Sequence, residues 1–434
     1  MFWLSFLMNI PVLIFLSFFF ARKTKDQPLR RFYYPALFFK VIAGVSVGLV
    51  YLWVYDGKGD TWTLFHKSVL LNDLLWEKPE IYFDYFFTNT PDLDAYLGDP
   101  MSKAPRALIF AKILSLINIF SLNNYWVTGM YLSLFSFLGM YSLANSIVRI
   151  FKTPYLSVLI SFLFFPSVVF WSAGIMKESI LMGALGLLVS FVLSSLYEKR
   201  KFAFPVWLFM MLAALAVFYI KYYYFIVLLP ALISLAVTYK IYHRQMAVGA
   251  RPFAEIGTFL TLFGVIALSG TLLVPQLNLN AFLKVLLENY QLTLESSNEF
   301  NAIRFSGLNE NWASLLAQFP KALTAGLFRP WPGDVRILSG YGPVLENMLV
   351  LIFFLSSLIY CFIKRPVFAN GLILTVLLVY IMALAFLLPI ASPNWGGLVR
   401  YKVGYLPFFL LLITFRNPFI FYLESKLLKK KADA

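Results

Sequence analysis

Apolar runs of about twenty residues recur along almost the whole chain, and they limit the folds that it can adopt. Hydrophobic residues make up 60% of the 434 residues and charged residues only 13%, which is more apolar material than a soluble core needs. A run of this length crosses the hydrocarbon core of a bilayer as a helix. Because a helix satisfies its own backbone hydrogen bonds in lipid, the sequence predicts an all-α polytopic membrane protein.

We predict about eleven membrane-spanning helices in a single integral membrane domain over residues 1–434. The first apolar run has no basic stretch before it and no small-residue cleavage site after it, so we expect a retained anchor rather than a cleaved signal peptide. Short polar segments mark the other boundaries. The predicted spans are 1–20, 33–55, 125–147, 155–173, 176–196, 203–220, 222–239, 255–275, 344–363, 368–390 and 401–416.

Basic residues predict the orientation, because cytoplasmic loops carry an excess of Lys and Arg. With the N-terminus outside, every basic cluster and the C-terminus fall on the cytoplasmic side, as expected in a bacterial cytoplasmic membrane. The net charge of +15 is then a consequence of topology, so the lipid bilayer rather than a nucleic acid is the expected partner. The clusters are Arg22 to Arg31, Arg149 with Lys152, Lys199 to Lys201, Lys240 to Arg251, Lys364 with Arg365, and Lys426 to Lys431.

That orientation requires residues 107–122 to remain on one side of the membrane. The run is short, and Lys112 and Asn118 interrupt it. An interfacial or re-entrant helix on the outer face fits these interruptions better than a span. If the run does span, the basic clusters that follow it move to the opposite side.

The first outer loop, residues 56–124, is acidic at its start. Nine Asp or Glu and four Lys lie between Asp56 and Pro105. Gly57 and Gly59 predict a tight turn at the end of the preceding helix. Apolar residues at helical spacing then predict an amphipathic interfacial helix over 62–76.

Asp60 and Asp56 are the candidate catalytic residues of this loop. Acids at a membrane edge are costly to keep and tend to mark function, and a carboxylate there can remove a proton from a hydroxyl group. The alternative is that these acids only solvate the start of a loop. Loop acids also offer oxygen ligands to a divalent cation, although no spacing is diagnostic of a metal site.

Arginines mark the second outer loop, residues 276–343. Arg329 and Arg336 flank a Pro-Trp-Pro-Gly turn, and Arg304 precedes them. Guanidinium groups bind phosphate oxygens in pairs, so these residues are candidates for binding an anionic substrate. The alternative is a loop packed on the membrane for structural reasons.

Two further sites complete the predicted binding residues. Arg400 opens the last span next to Tyr401, and we interpret it as a phosphate contact, with an interfacial anchor as the alternative. Lys177 and Glu178 are expected at an outer turn, either in a substrate site or simply solvated. Adjacent helical residues do not face each other, so spacing alone does not pair them.

Several other chemistries find no support in the sequence. Two histidines are too few for a histidine metal cluster, and no glycine pattern typical of phosphate or dinucleotide loops is present. The single cysteine, Cys361, rules out an intramolecular disulfide. We therefore expect no metal site and no certain cofactor.

In layout the chain resembles the GT-C superfamily of polytopic membrane glycosyltransferases. Asp56-Gly-Lys-Gly-Asp60 is similar to the acidic start of that family's first outer loop, and Gly397-Leu-Val-Arg400-Tyr401 to its late Arg-Tyr motif. The resemblance implies a lipid-phosphate-linked sugar as donor and an envelope glycan or lipid as acceptor, on the extracytoplasmic face. It implies Asp60 or Asp56 as the general base and Arg400 as a phosphate contact. The chain departs from the family in an additional early span.

Two alternatives remain open from the sequence. Bacterial O-antigen polymerases and ligases look similar in span number and in an arginine-bearing late loop, which implies polysaccharide polymerisation. A transporter or flippase of lipid-linked glycan is the other alternative. Ionisable residues near the membrane midplane would favour transport, and Lys40, Lys221 and Glu346 are the residues that test it.

Overall fold

The structure is a computed structural model that describes residues 2–57, 59–88, 105–245, 252–273, 278–336, 340–365 and 370–432. Lys58 and residues 89–104 of the predicted first outer loop lie outside these ranges, as do Arg251 and short parts of predicted spans and of the second outer loop. All nine candidate site residues are among the described residues.

Within the described ranges the regular elements are helices. In chain order they are α1 (Phe2–Lys23), α2 (Tyr33–Trp53), α3 (Asp60–Glu77), α4 (Pro79–Thr88), α5 (Pro105–Ser121), α6 (Tyr125–Phe151), α7 (Tyr155–Val158), α8 (Pro166–Trp171), α9 (Lys177–Tyr197) and α10 (Phe204–Gln245). They continue with α11 (Pro252–Leu273), α12 (Leu279–Ser296), α13 (Trp312–Ala317), α14 (Phe319–Phe328), α15 (Tyr341–Lys364), α16 (Gly371–Ala391), α17 (Trp395–Tyr401), α18 (Leu406–Thr414) and α19 (Pro418–Ala432).

Eight helices of the described chain are long and apolar enough to cross a membrane. They are α1, the segment Arg30–Trp53, α6, α9, the segment Phe204–Tyr242, the segment Pro252–Gly270, α15 and α16. Helices α17 and α18 form a further pair that bends by 68°. The chain is an all-α membrane protein, as predicted.

Two apolar segments, Phe204–Gln245 and residues 155–173, are not single straight helices. Backbone dihedrals leave the helical region at Lys221 inside α10, which is where the sequence predicts the boundary between two spans. Residues 155–173 were predicted as one span but form three short pieces, α7, a π-helical stretch Leu159–Phe164, and α8. Pro166 accounts for the last break, because proline disfavours helical dihedrals at the residue before it and Phe165 is extended.

The chain divides into two compact units, each described by itself below. The first unit consists of Met1–Arg149, Phe162–Phe191 and Phe202–Tyr222. The second consists of Ile150–Ser161, Val192–Lys201 and Tyr223–Ala434. Asp56, Asp60, Lys177 and Glu178 belong to the first unit, and the candidate arginines and Tyr401 belong to the second.

The first unit contains long helices and a group of three shorter ones, α3, α4 and α5. Helix α5 packs along α3, and α4 folds back on α3. The amphipathic helix predicted over 62–76 is confirmed as part of α3, and Leu64, Phe65, Leu71 and Leu74 form its buried face. Helix α5 is shorter than the span candidates.

The second unit is held by close helix contact. Helix α14 lies on α16, and Gly326 approaches the backbone at Ala385 so closely that a Cβ atom there would collide with the Ala385 carbonyl oxygen. The buried Tyr405 hydroxyl donates to the Gly326 carbonyl at 2.6 Å. These contacts hold α14 against α16 and against Tyr405 at the start of α18.

Candidate functional site

Helix α2 ends in a tight turn that carries Asp56 and leads to Asp60. The Gly57 N–H donates to the carbonyl oxygens of Tyr51 at 3.0 Å and Leu52 at 3.1 Å, which closes the helix as predicted. Asp56 and Gly57 both have positive φ angles, 51° and 68°. Because of this turn, the two acids do not share a helical face.

Asp60 is the first residue of α3, and its side chain is exposed. The positive end of the helix dipole favours a carboxylate at this position. An exposed carboxylate at the start of α3 is accessible to an incoming hydroxyl group, which a general base requires. The same position also suits a purely structural charge at a helix start.

Buried polar side chains lock α4 and α5 onto α3. The Asn72 side-chain amide donates to the Ser115 carbonyl at 3.1 Å, and the hydroxyls of Tyr82 and Ser115 lie 3.0 Å apart. The Asn118 amide donates to the Ser68 hydroxyl at 2.9 Å. Buried polar groups require such partners, so the polar residues of α5 form its interface with α3 and α4.

Lys112 holds the end of α4. Its ammonium group donates to the carbonyl oxygens of Tyr85 at 2.6 Å and Phe86 at 2.9 Å, in the last turn of a helix that carries unpaired carbonyls. The side chain is buried. Burial disfavours the charged form and lowers the pKa of Lys112 from 10.5 to about 8.

Helices α2 and α6 run antiparallel, and their contacts provide a depth scale for the first unit. At one end the rings of Tyr33 and Tyr141 lie 5.1 Å apart. At the other end Gly48 packs on the ring of Trp126. Residues between these two contacts lie inside the length of the helix pair.

The connection between α8 and α9 lies within that length. The Gly174 N–H donates to the Ser133 hydroxyl of α6 at 2.8 Å, and Gly174 also packs on Gly44 of α2. The ammonium group of Lys40 donates to the Ser172 hydroxyl at 2.5 Å. Lys40, Ser172 and Gly174 are all buried, so this connection is not a solvated surface turn.

Glu178, four residues after Gly174, forms a buried ion pair with Lys221. Their carboxylate and ammonium groups lie 2.5 Å apart, and the side chains are 0% and 5% exposed. The expectation of a solvated Lys177–Glu178 turn is therefore wrong for Glu178, while Lys177 is partly exposed. Lys221 reaches this position from the non-helical break in α10.

In the second unit, Arg329 contacts Asp334 in its own loop and Trp395 in the segment that leads to Arg400. Its guanidinium binds the Asp334 carboxylate through two nitrogens, with the Nε to Oδ2 distance at 2.8 Å. The same guanidinium lies 4.5 Å from the centre of the Trp395 ring, a cation–π contact. The structure thus brings the Pro-Trp-Pro-Gly turn against the segment that leads to Arg400.

Lys402 reinforces this contact from the far end of the same segment. Its ammonium group donates to the Arg329 carbonyl at 2.5 Å and to the Asn347 side-chain oxygen at 3.3 Å. The side chain is 2% exposed, and Glu346 is close enough to interact with it electrostatically. A cation this well buried requires such partners.

Helix α17 presents Arg400 and Tyr401 one turn after Trp395. Asn394 caps this helix, its side-chain oxygen accepting from the N–H groups of Gly396 at 3.0 Å and Gly397 at 3.2 Å. Arg400 is 8% exposed, so it is a buried cation rather than a side chain that extends into solvent. Its guanidinium lies 6.0 Å from the Tyr401 ring.

The other two loop arginines are peripheral to this cluster. Arg304 is exposed and lies 3.6 Å from the Glu299 carboxylate, a surface pair of little energetic weight. Arg336 is exposed, and its guanidinium lies 3.9 Å from the Phe300 ring. Both arginines therefore contact the short helical turn Glu299–Asn301 rather than α17.

Trp395 and Lys402 were not among the predicted site residues, and the pairing of Glu178 with Lys221 was not predicted. A signal for Lys402 was present, since it lies two residues after Arg400 where a membrane-edge cation is conspicuous. The partnership of Glu178 with Lys221 joins residues 43 positions apart, and no local pattern indicates it.

The described residues contain no group of three or more His, Cys, Asp or Glu side chains that could hold a metal ion. The fold defines an all-α membrane protein with a buried ion pair in one unit and a cationic cluster in the other. Comparisons with protein-family models, curated proteins and solved structures give no match for this chain.

Proposed function

We propose that the chain is a membrane glycosyltransferase of the GT-C type. It transfers a sugar from a lipid-phosphate donor to an envelope glycan or lipid acceptor on the extracytoplasmic face of the cytoplasmic membrane. The observation that carries the proposal is the cluster of Arg329, Trp395, Arg400 and Lys402 in the second unit, which we name the late cationic cluster.

The late cationic cluster suits a phosphate group. Arg329 packs on Trp395 and its carbonyl accepts a bond from Lys402, and Arg400 lies between Trp395 and Lys402 in the same short segment. Charge-assisted bonds from guanidinium and ammonium groups stabilise the charge of a departing phosphate. The Trp395 ring is buried and packs on the Arg329 guanidinium, so it holds that cation in position.

Asp60 is our proposed general base, with Asp56 as the alternative. Its exposure at the start of α3 supports the role, because the base must reach an acceptor hydroxyl. Tyr401, Arg304, Arg336 and Lys177 are proposed as secondary contacts of donor or acceptor. The predicted substrate role of Glu178 stays a prediction, and its buried carboxylate would act together with its partner Lys221.

The apolar segments are compatible with eleven spans in this function. Phe204–Tyr242 has 39 residues, so it would extend about 58 Å as a helix, roughly twice the hydrocarbon core. The break at Lys221 therefore supports two spans. The bent pair α17–α18 and the pieces over 155–171 supply the other two, with the N-terminus outside and the C-terminus in the cytoplasm.

The lipids of a deletion strain test this proposal. We expect membranes that lack the protein to accumulate a lipid-phosphate-linked sugar, detectable by mass spectrometry of extracted lipids, together with an envelope glycan or lipid that lacks one sugar. A plasmid copy carrying Arg400→Ala should fail to reverse both changes. An unchanged lipid and glycan profile in the deletion strain would contradict the proposal.

Transport of a lipid-linked glycan is the second candidate, and a specific observation favours it. Glu178, Lys221 and Lys40 are ionisable residues within the length of the first unit's helices, where such residues tend to be functional. A cysteine accessibility scan after replacement of Cys361 separates the candidates. Reagent access to positions near Lys221 from both sides would favour transport, and access from one side only would favour the enzyme.

A further inference from the structure

A cleft of about 570 Å³ opens in the first unit, where α3, α5 and the start of α6 meet. Its volume lies in the range of small-molecule binding sites. Trp62, Trp76 and Tyr125 line it together with Asp73 and Asn123. None of these five residues belongs to the late cationic cluster, and we name this feature the α3–α5 cleft.

The aromatic side of the α3–α5 cleft is rigid. The rings of Trp62 and Tyr125 stack with centroids 3.7 Å apart and planes within 6°. The Trp62 indole N–H donates to the Gly48 carbonyl of α2 at 3.1 Å, so the ring cannot rotate without losing that bond. Trp76 also lines the cleft and remains 71% exposed, which leaves one ring surface open.

The polar side is formed by a carboxylate and an amide. The Asn123 side-chain amide donates to the Asp73 carboxylate at 3.2 Å. The Asn123 side-chain oxygen is shielded from solvent and has no hydrogen-bond partner within the described chain. Because that oxygen is enclosed, the groups that can bond to a ligand are the exposed Asp73 carboxylate, which accepts, and the second N–H of the Asn123 amide, which donates.

The turn that holds Asn123 has an unusual backbone. Leu122 and Asn123 have φ angles of 53° and 55°, in the left-handed region that a bulky residue such as leucine rarely adopts. Such conformations persist where the surroundings enforce them, and they cluster at functional sites. The turn places the Asn123 amide beside Asp73.

The lining indicates the chemistry of the ligand. Among the described residues that line the cleft, none is Lys or Arg, and the charged one is Asp73. A phosphate or other anion is therefore disfavoured. Amide and carboxylate groups bind hydroxyls, and open aromatic faces bind the C–H face of a sugar ring.

We propose that the α3–α5 cleft is a binding site for an uncharged hexose unit. Its hydroxyls bond to Asp73 and Asn123, and its ring lies on Trp76. The assignment of this hexose as the acceptor of the transfer reaction rests on the proposed function. Donor phosphate and acceptor sugar would then be bound by different elements of the chain.

Calorimetry on the purified full chain in lipid nanodiscs tests this inference. The probes are the methyl glycosides of glucose, galactose, mannose and N-acetylglucosamine, with inorganic phosphate as the anionic comparison. We expect at least one glycoside to bind. Trp76→Ala and Asn123→Ala should each raise its Kd by about tenfold or more, because each removes a ligand contact.

Trp53→Ala is the matched control, since Trp53 is 72% exposed and does not line the cleft. Its Kd should remain within about twofold of the wild-type value. Binding of phosphate but of no glycoside, or equal glycoside binding by the wild type and the Trp76→Ala and Asn123→Ala variants, would overturn the inference.

A sugar-transfer assay on the wild type and the Trp76→Ala variant, set beside the calorimetry, separates this inference from the proposed function. Glycoside binding that depends on Trp76, in a protein that transfers no sugar, would sustain the cleft and reject the transferase. Sugar transfer with an unchanged acceptor KM in the Trp76→Ala variant would sustain the transferase and reject the cleft as the acceptor site.

Discussion

The Glu178 carboxylate lies 2.5 Å from the Lys221 ammonium group, and both side chains are shielded from solvent. Glu178 stands at the start of α9, and Lys221 stands where α10 leaves helical geometry. The pair therefore joins two places at which apolar helices begin or break. Two buried charges are tolerated there because each provides the counter-charge of the other.

Loss of one partner of this pair should be strongly destabilising. We expect Glu178→Gln to lower the free energy of unfolding by about 3–5 kcal/mol, because the Lys221 ammonium loses its buried counter-charge. Thermal unfolding of the purified protein in detergent measures the effect. The double variant Glu178→Gln, Lys221→Met should recover most of the loss.

Glu80→Gln, which alters an exposed acid of α4, is the control for this pair and should leave the unfolding temperature nearly unchanged. A Glu178→Gln variant as stable as the wild type would contradict the view that the pair holds α9 and α10.

Arg400→Lys should weaken use of the donor. A lysine keeps the charge but cannot supply the planar two-pronged guanidinium fork that binds phosphate oxygens in pairs. We expect the KM for a lipid-phosphate sugar to rise by about tenfold. Arg22→Lys changes an exposed arginine of α1 that belongs to no proposed site and should have little effect, so equal KM values in all three proteins would count against the phosphate role.

Lys112 should make stability depend on pH. Its pKa is about 8 in the folded protein and 10.5 when the side chain is free in water. Between these values the unfolded chain binds more protons, so stability should rise as pH increases from about 8 toward 10.5. Unfolding temperatures measured across pH 7.5 to 9.5, where tyrosines titrate little, test the direction.

The variant Lys112→Met isolates this contribution. The rise attributable to Lys112 should disappear in it and persist in Lys78→Met, which changes an exposed lysine. The same pH profile in Lys112→Met and in the wild type would show that the buried amine is not its source.

Gly326 should not tolerate a side chain. A Cβ atom at this position would collide with the Ala385 carbonyl, so we expect Gly326→Ala to lower stability by about 1–3 kcal/mol through overpacking. Gly342→Ala is the matched control, because nothing lies within 4 Å of a Cβ atom at that helical position. That control should be neutral or stabilising, and equal effects of the two substitutions would reject the close contact.

The local features of this fold could be predicted from the sequence. Apolar runs predicted the long helices, and the glycines after Asp56 predicted the tight turn that ends α2. The break at Lys221 was predicted because two span-length runs meet there. Each of these signals lies within one helix or turn, where composition and spacing determine the conformation.

The partnerships between distant residues could not be predicted in the same way. Arg329 contacts Trp395, 66 positions away, and Glu178 contacts Lys221 through packing of separate helices. The cleft beside Asn123 depends on how α5 lies on α3. Such contacts follow from tertiary packing, which a single sequence does not encode in a local pattern.

Sugar transfer by Asp60→Asn protein in proteoliposomes tests the central claim most directly. With a radiolabelled lipid-phosphate sugar as donor, we expect the rate to fall about 10²- to 10⁴-fold, the usual contribution of a general base. Expression and the unfolding temperature should be unchanged, and Asp84→Asn, an exposed acid of α4, should transfer normally. Full activity in Asp60→Asn, in Asp56→Asn and in the double variant would contradict the account.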